Sequence, residues 1–248
     1  MDKIFFSLFS VISVCFGSVL SAETSTKFSV GFAYINSESV YDGAGSTSSF
    51  MPSIDAQIGK VKIGFEQGVS YQFIDNQRFG ISAAISPNFR PYKSSDSAML
   101  SDMSRKTTFD GVIAGSLKIA RGSTFKLKLA REVTNEFNGS LIDFSFSQFL
   151  PIGGQPVIFS LGSKNYDSKR SEYFFGVMPS EVEVNRPAYS PGSVGTTYLS
   201  VSTFFNVTSN VSAFANINKN FLPSSIHGSP IVSKNSNTSA LLGVSYSF

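Results

Sequence analysis

The chain has 248 residues and a formal net charge of +3, and 15% of its residues are charged. Its mean hydropathy lies close to zero, which excludes a helical membrane protein, because such chains are far more apolar. A nucleic-acid partner is also excluded, since the small net charge comes without a cluster of basic and aromatic residues. With one His and one Cys, the chain has little material for a metal centre, and we expect no metal and no other cofactor.

The first 22 residues have the pattern of a secretory signal peptide. A basic residue, Lys3, precedes an apolar stretch over 4–20 and then a polar segment. Cleavage after Ala22 would leave one exported β domain over 23–248, although cleavage after Ser21 is also compatible with the pattern. A retained N-terminal anchor helix is the alternative.

The rest of the chain breaks into short alternating segments separated by turn residues. Apolar residues alternate with small or polar ones in twelve segments, as they do in the wall of a membrane barrel. The candidate strands are 27–36, 50–58, 60–65, 67–74, 78–90, 108–119, 124–136, 140–149, 156–166, 196–206, 210–221 and 237–248. We therefore predict an all-β fold, a transmembrane antiparallel up-and-down β-barrel with twelve strands. Ten strands are the alternative.

The lengths of the connections support an even number of strands. The long connections at 91–107, 167–195 and 222–236 fall on one side, and the short turns fall on the other. This asymmetry is typical of outer-membrane barrels, which have long extracellular loops and short periplasmic turns. The pattern holds only if the stretch 60–74 contains two short strands that meet near 66–68.

Charged residues occupy one face of several strands. If the apolar faces contact lipid, the charges must face the lumen, because each would cost about 2–4 kcal/mol near the middle of the lipid layer. The predicted lumen-facing charges are Arg90, Asp110, Lys118, Lys126, Lys128, Glu132 and Asp143. They are compatible with an open, mildly cationic pore for small solutes and equally with a lumen that paired charges fill.

The sequence does not assemble a catalytic site. The only His, His227, lies in the last long connection beside several serines, where a Ser–His pair is conceivable. The chain is rich in Ser throughout, however, and nothing else in the sequence supports catalysis. We therefore predict a protein that is not an enzyme and has no catalytic residues.

The last strand ends in a row of apolar residues. Counting back from Phe248 in steps of two gives Tyr246, Val244 and Leu242, with small or polar residues mostly between them. A strand of this type, closed by a terminal Phe, resembles the C-terminal insertion signal of bacterial outer-membrane barrels. It implies recognition by the barrel assembly machinery and a place among the lipids of a Gram-negative outer membrane. An edge strand of a soluble β-sandwich is the alternative.

The segment after residue 170 carries a resemblance to a known family. Its motifs are Tyr173-Phe174-Phe175-Gly176-Val177, Tyr189-Ser190-Pro191-Gly192-Ser193-Val194-Gly195, Ser229-Pro230-Ile231-Val232 and the closing Gly243-Val244-Ser245-Tyr246-Ser247-Phe248. In this order they resemble the MipA/OmpV family of outer-membrane proteins. One departure is that family members tend to carry acidic residues before the Ser-Pro-Ile-Val run, where this chain has Ser225-Ile226-His227-Gly228.

The resemblance implies a scaffold in the outer membrane. The best-described member links a lytic transglycosylase, which degrades murein, to a murein synthase, so both enzymes are implied partners. Other members are described as porin-like channels or as adhesins, and both remain alternatives. The motif residues in the loops are Tyr173, Phe174, Phe175, Gly176, Tyr189, Pro191, Gly192, Ser229 and Pro230. We expect the aromatic ones to anchor the longest loop over the barrel mouth, with Pro191 and Gly192 as a turn.

Overall fold

The protein is a closed barrel of twelve antiparallel strands. A computed structural model describes residues 26–65 and 67–248, so the predicted signal peptide lies outside the described residues. The strands are β1 (Thr26–Ser37), β2 (Thr47–Ile58), β3 (Val61–Gly64), β4 (Gly68–Asp75), β5 (Phe79–Asn88), β6 (Thr108–Ala120), β7 (Ser123–Glu132), β8 (Ser140–Ile152), β9 (Gln155–Tyr166), β10 (Val194–Asn206), β11 (Val211–Phe221) and β12 (Ser236–Ser247). Each strand pairs with the next along the chain, and β12 pairs with β1. The predicted fold class and strand count are confirmed.

The wall has two different faces because side chains alternate along each strand. Large apolar side chains such as Phe32, Ile113 and Leu199 are exposed on the outer face. The inner face carries buried small and polar side chains, among them Ser200 and Asn218. An apolar outer band around a polar interior is the arrangement of a barrel that sits in lipid.

The long connections all lie at one end of the barrel, which we call the extracellular end. The four longest are the first loop (38–46), the second loop (89–107), the third loop (167–193) and the fourth loop (222–235), and the shorter connection 133–139 lies at the same end. The turns at the opposite, periplasmic end have two to four residues each. Long loops at one end and short turns at the other match the asymmetry predicted from the sequence.

The loops contain the only helical segments among the described residues. Helix α1 (Ser168–Phe175) lies in the third loop, and the one-turn helix α2 (Ser224–His227) lies in the fourth. Short 3₁₀ turns occur at Ser94–Asp96, Ala98–Leu100 and Pro179–Glu181. None of the helices described is long and apolar enough to cross a membrane.

Strand β5 is shorter than the sequence predicted. The prediction extended it to Arg90, whereas the strand ends at Asn88 and Arg90 belongs to the second loop. The backbone N–H of Arg90 donates to the side-chain oxygen of Thr107 over 3.3 Å instead of to a neighbouring strand. Pro91 follows directly and has no N–H to continue the ladder. The assignment of Arg90 to the inner face of a strand was therefore wrong.

Strand β7 also ends early. It was predicted to reach residue 136 but stops at Glu132. The backbone of Asn135 has a φ of 61° and that of Asn138 a φ of 55°. These left-handed conformations are incompatible with a strand, and Asn is among the residues that tolerate them.

The wall is uneven between β2 and β5. β3 has four residues and β4 has eight, whereas β2 has twelve. Among the described residues, only 55–58 of β2 pair with β3, and the upper part of β2 pairs with β1 alone. On the other side, 86–88 of β5 pair with β6 but not with β4. We call the resulting gap above the β3–β4 hairpin the notch.

Candidate functional site

The four longest extracellular loops fold into one packed cap over the mouth of the barrel. Their buried apolar side chains form a single cluster with two residues at the top of the wall, Tyr166 on β9 and Val194 on β10. The cluster consists of Val40, Tyr41, Tyr92, Leu100, Met103, Tyr166, Tyr173, Phe174, Phe175, Val177, Val194, Ile226, Ile231 and Val232. Burying each large side chain is worth about 1.5–3 kcal/mol, so the cap is a small hydrophobic core of its own.

Helix α1 carries the aromatic motif into the centre of the cap. The side chain of Asp167 caps its N-terminus by accepting a hydrogen bond from the backbone N–H of Arg170. Tyr173, Phe174 and Phe175 then follow as buried residues, and Phe175 has no exposed surface. Three consecutive aromatic residues bury themselves here because the helix lies inside the mouth and has neighbours on several sides.

Hydroxyl groups from other loops satisfy the last carbonyls of α1. Tyr41 Oη donates to the carbonyl of Phe174 over 2.9 Å, and Ser229 Oγ donates to that of Phe175 over 2.6 Å. Burial raises the pKa of Tyr41 well above its ordinary value, so its hydroxyl stays protonated and able to donate. These bonds join the first and fourth loops to the third.

The chain then turns back across the cap. The backbone N–H of Gly176 donates to the carbonyl of Glu172 over 2.8 Å, and a Cβ on Gly176 would lie 2.6 Å from that oxygen. Val177 and Tyr189 form an antiparallel bridge. The hydroxyl of Tyr189 donates to the carbonyl of Ser225 over 2.7 Å, which attaches the third loop to α2.

The turn at Pro191-Gly192 closes the third loop. Gly192 has a φ of 70°, a conformation that glycine adopts without strain. Its carbonyl accepts a hydrogen bond from the hydroxyl of Ser171 on α1. The motif residues Pro191 and Gly192 therefore lie against the helix that carries the aromatic motif.

The Ser-Pro-Ile-Val motif occupies the other side of the cap. Ser229 is buried and bonds to α1, Pro230 is half-buried, and Ile231 has no exposed surface. Val232 forms an isolated bridge with Tyr41 of the first loop. Each motif singled out in the loops from the sequence thus contributes to the same cap.

Arg105 fastens the second loop to the third. Its guanidinium donates to both carboxylate oxygens of Glu181, over 2.5 and 3.0 Å, and its Nε donates to the carbonyl of Tyr173 over 2.7 Å. Burial would raise the pKa of Glu181, but the hydrogen bonds from Arg105 and from the Met178 N–H outweigh it and hold the pKa below its ordinary value. The carboxylate is thus ionised when the cap is formed.

Arg186 makes a second connection between the same two loops. Its Nη1 donates to the carbonyls of Met99 and Ser101, over 2.7 and 2.8 Å. Its Nη2 forms an ion pair with Glu183 over 2.7 Å. Burying a guanidinium costs free energy because it loses its hydration, so the hydrogen bonds from Arg186 to these carbonyls must all form to compensate.

Arg170 attaches the cap to the wall. Its Nη2 lies 2.7 and 2.5 Å from the two carboxylate oxygens of Asp110 on β6. The two residues are 1% and 6% exposed, and Nη1 of Arg170 is buried without a hydrogen-bond partner among the described residues. Removing one member of such a pair leaves a buried charge uncompensated, so the position of α1 depends on this contact.

Further towards the periplasmic end, the inner wall carries a row of alternating charges. Lys128 on β7 is the register partner of Asp143 on β8, and Asp143 is that of Lys164 on β9. The ammonium of Lys164 lies 5.1 Å above the centre of the Tyr198 ring, and Tyr198 Oη donates to Asp143 over 3.1 Å. We call these four residues the charged row. Opposite charges in neighbouring register positions stabilise the pairing of the strands.

The other predicted lumen charges have different surroundings. Lys126 shares the inner face of β7 with Lys128 and is half-buried. Lys118 lies on the same face of β6 as Asp110 but is exposed at the periplasmic end, where the pairing with β7 is irregular. Only part of the predicted set is therefore gathered in the middle of the lumen.

Glu132 has a local structural contact. It lies on the inner face at the end of β7 and is 2% exposed. Its carboxylate accepts hydrogen bonds from the backbone N–H groups of Phe137 and Asn138, over 3.2 and 2.8 Å, and from Thr134. It thus holds the connection between β7 and β8 rather than facing an open passage.

His227 lies on the outside of the cap, in the fourth loop. It is exposed in a shallow polar pocket whose lining also includes Glu38, Lys219 and Ser233. This is the solvent-facing loop position that the sequence indicated.

The apolar row of β12 faces outward. Val244, Tyr246 and Phe248 are 51%, 44% and 75% exposed. The Phe248 ring lies 5.5 Å from that of Phe28 and 5.0 Å from that of Tyr246, and its N–H donates to the Phe28 carbonyl over 3.0 Å. These rings form part of an aromatic belt at the periplasmic boundary, where such belts occur in membrane barrels.

Sequence reasoning missed several of the ionic residues in the cap and the lumen. The sequence does contain a signal for Lys164. It alternates in step with the small residues Ser160 and Gly162, which places it on the same face of β9, and both of these residues are buried in the structure. Arg105 and Arg170, in contrast, lie in loops, where no periodicity indicates which way a side chain points.

The chain is similar to known proteins over most of its length. The family model described as "MltA-interacting protein MipA" matches residues 30–248. The chain is 25% identical over 236 residues to the "Putative outer membrane protein YiaT" of Escherichia coli (strain K12), which covers 92% of this chain and 94% of that protein. Among solved structures, the KdgM porin covers 89% of this chain and 99% of its own at 11% identity with a TM-score of 0.41, and the NanC porin covers 90% and 99% at 8% identity with a TM-score of 0.38. Because the family model spans nearly the whole described barrel, the chain belongs to the MipA family of outer-membrane β-barrel proteins.

Proposed function

We propose that this barrel is a membrane platform that binds a lytic transglycosylase at the periplasmic surface of the outer membrane. The family is described by its interaction with MltA, and the resemblance noted above identifies that partner class as a murein-degrading transglycosylase. The observation that carries the proposal is a group of exposed basic side chains at the periplasmic end.

This group, the basic crescent, consists of Lys60, Arg78, Lys118 and Arg121, all of which are exposed. They lie in successive periplasmic turns or beside them, and the N–H of Lys118 donates to the carbonyl of Arg78 over 2.9 Å. The turns at 153–154 and 207–210 on the other side of the rim contain no charged residue. A one-sided basic surface attracts and orients a partner that presents acidic groups.

The packed cap favours the role of a binding platform rather than that of a freely open pore. A solute arriving from outside would meet the hydrophobic cluster of the cap before it reached the charged row. Binding at the periplasmic end, in contrast, needs no passage through the barrel.

The test is capture of a purified lytic transglycosylase by the refolded barrel in detergent. We expect the unaltered protein to retain the enzyme and a variant with all four crescent residues changed to Glu to lose it. A matched control changes Lys169 and Lys234, which are exposed at the extracellular end. Retention by the crescent variant, or equal loss in the control, would contradict the proposal. Adding a murein synthase to the captured pair then tests whether the platform joins both enzymes.

A gated channel for small solutes is the second candidate, and the charged row is the observation that favours it. Its residues of opposite charge type, in register across neighbouring strands, would set the ion selectivity of any passage. Conductance in a planar bilayer should then appear when the Arg170–Asp110 pair is removed, and changing Lys128 to Glu should alter its selectivity. A silent bilayer with correctly folded Asp110→Asn protein would rule out this candidate.

A further inference from the structure

The notch reaches into the membrane-spanning part of the wall. At a tilt of about 45°, the four residues of β3 raise the wall by about 9 Å and the eight residues of β4 by about 19 Å, whereas the apolar band of an outer-membrane barrel is about 25 Å tall. The β3–β4 hairpin therefore ends within the bilayer. Three strand spacings of about 4.8 Å separate β2 from β5, which makes the notch about 14 Å wide.

The edge of β2 above the hairpin has no partner strand among the described residues. Phe50 and Ile54 are 77% and 52% exposed, and Pro52 between them is exposed as well. Proline is typical of edge strands, because it has no N–H to offer to a neighbouring strand. Pro52 therefore disfavours a partner strand as the occupant of this edge.

The unpaired backbone of this edge indicates that water reaches it. Open sheet edges are not tolerated against hydrocarbon, but they are tolerated where they line a water-filled cavity. Water at this edge would bring the lumen into contact with the bilayer at the notch. Such a junction of water and lipid suits a molecule with a polar head and an apolar chain.

An apolar strip begins on the inner wall at the same edge. Met51 of β2 is the register partner of Ala33 on β1, Ala33 that of Gly243 on β12, and Gly243 that of Phe214 on β11. A Cβ on Gly243 would lie 2.0 Å from Cζ of Phe214, so the ring rests directly on the glycine. Ile35 and Leu241 complete the strip, which is separate from the cluster in the cap.

From this arrangement we propose that the notch is a lateral portal for an acyl chain of an outer-leaflet lipid. The lipid-facing surface of the barrel continues through Phe50 and Ile54 to the edge of the notch, so lipid chains already border the opening. Met51 is 4% exposed and closes the start of the strip. Its unbranched, flexible side chain can move aside as the acyl chain enters and lies along Ala33 and Phe214.

The test uses the absence of tryptophan from the sequence. A single tryptophan is introduced at Met51, and the protein is reconstituted into vesicles of phospholipid with brominated acyl chains, which quench tryptophan on contact. We expect Met51→Trp to lose emission to a degree comparable with lipid-facing Phe50→Trp. Tyr198→Trp, on the inner wall away from the notch, should keep its emission. Ser53→Trp, on the same face as Met51, serves if the first variant does not fold.

A second control closes the portal without altering the strip. A variant with the β3–β4 hairpin lengthened to match β2 should protect Met51→Trp from quenching but leave Phe50→Trp quenched. Emission of Met51→Trp and Ser53→Trp as strong as that of Tyr198→Trp would overturn the proposal. Quenching by an added brominated fatty acid, but not by brominated phospholipid, would likewise overturn the assignment to membrane lipid.

Discussion

At the scale of single residues, the position of the cap depends on the ion pair between Arg170 and Asp110. Changing Asp110 to Asn should destabilise the packed cap by about 3–5 kcal/mol, because the Arg170 guanidinium stays buried without its counter-charge. Hydrogen exchange of the α1 amides is the appropriate measurement, since it reports local opening while the barrel stays folded.

An exposed ion pair provides the matched control. Lys106 and Glu136 lie 2.9 Å apart, but the Lys106 side chain is 69% exposed. Glu136→Gln should therefore change the free energy of local opening, derived from hydrogen exchange, by no more than about 1 kcal/mol. Replacing both buried partners with apolar residues, Asp110→Leu with Arg170→Met, should recover much of the loss. Equal effects of Asp110→Asn and Glu136→Gln would show that the buried pair does not hold the cap.

A second residue-scale prediction concerns the glycine beneath Tyr198. A Cβ on Gly162 would lie 2.3 Å from Cζ of that ring, so Gly162→Ala must displace the ring and its bond to Asp143. We expect a loss of about 1–3 kcal/mol in the free energy of unfolding, measured by urea titration in detergent. Gly115→Ala is the control, because nothing lies within 4 Å of its added Cβ. A Gly162→Ala protein as stable as the control would contradict the packing described for the charged row.

At the scale of elements, the strands were predictable, whereas the sequence indicated only the motif residues of the cap and not the ionic contacts that hold it. Alternation fixes which residues of a strand can face lipid, so segments such as 210–221 were located to within a residue or two of β11. The end of β7 could not be located in this way, because it depends on the left-handed backbone of Asn135, which the residue type alone does not reveal.

The break in the uneven wall follows from the even number of strands. An even strand count required a break within 60–74, and the structure has β3 and β4 there. That argument could not reveal the notch, because the length of a short strand depends on neighbours that are distant in sequence. The same holds for Arg105, whose partner Glu181 is 76 positions away.

The contact between the second and third loops should respond to acid. The pKa of Glu181 lies below its ordinary value of 4.5 in the folded cap. Its ion pair therefore stabilises the cap fully above that pH and is lost as the pH falls through the lowered pKa. Amides of the second loop should lose protection below about pH 4.5, once their exchange rates are corrected for the intrinsic slowing of exchange in acid, and Glu181→Gln should remove that part of the pH dependence. An unchanged acid response in the variant would assign it to other carboxylates.

At the scale of the whole molecule, we expect the outward row of β12 to affect assembly in the membrane. Phe248 is largely exposed and packs mainly on Phe28 and Tyr246. We predict that Phe248→Ser lowers the amount of barrel assembled in cells several-fold, while the refolded protein keeps nearly the same stability. Phe32→Ser, at another exposed outer position, should not reduce assembly in this way. Heat-modifiable gel mobility measures the amount of folded barrel for both variants. Equal losses for Phe248→Ser and Phe32→Ser would mean that the outward row of β12 has no special role in recognition.

The interior is divided into two regions of different chemistry. The charged row occupies β7 to β10, and the apolar strip occupies β11, β12, β1 and β2. Water and ions would follow the first region, whereas hydrocarbon would follow the second. The cap closes the extracellular end over both.

The bridge between Tyr41 and Val232 has a consequence for the order of events during folding. It joins the first loop to the fourth, which lie close together only after β12 has paired with β1. Loop contacts of such long sequence separation form late, because much chain entropy is lost before they contribute. We therefore expect the newly inserted barrel to pass through a stage in which its wall is complete and its mouth is still open. Accessibility of the charged row from outside, followed over time, would mark the moment at which the protein matures.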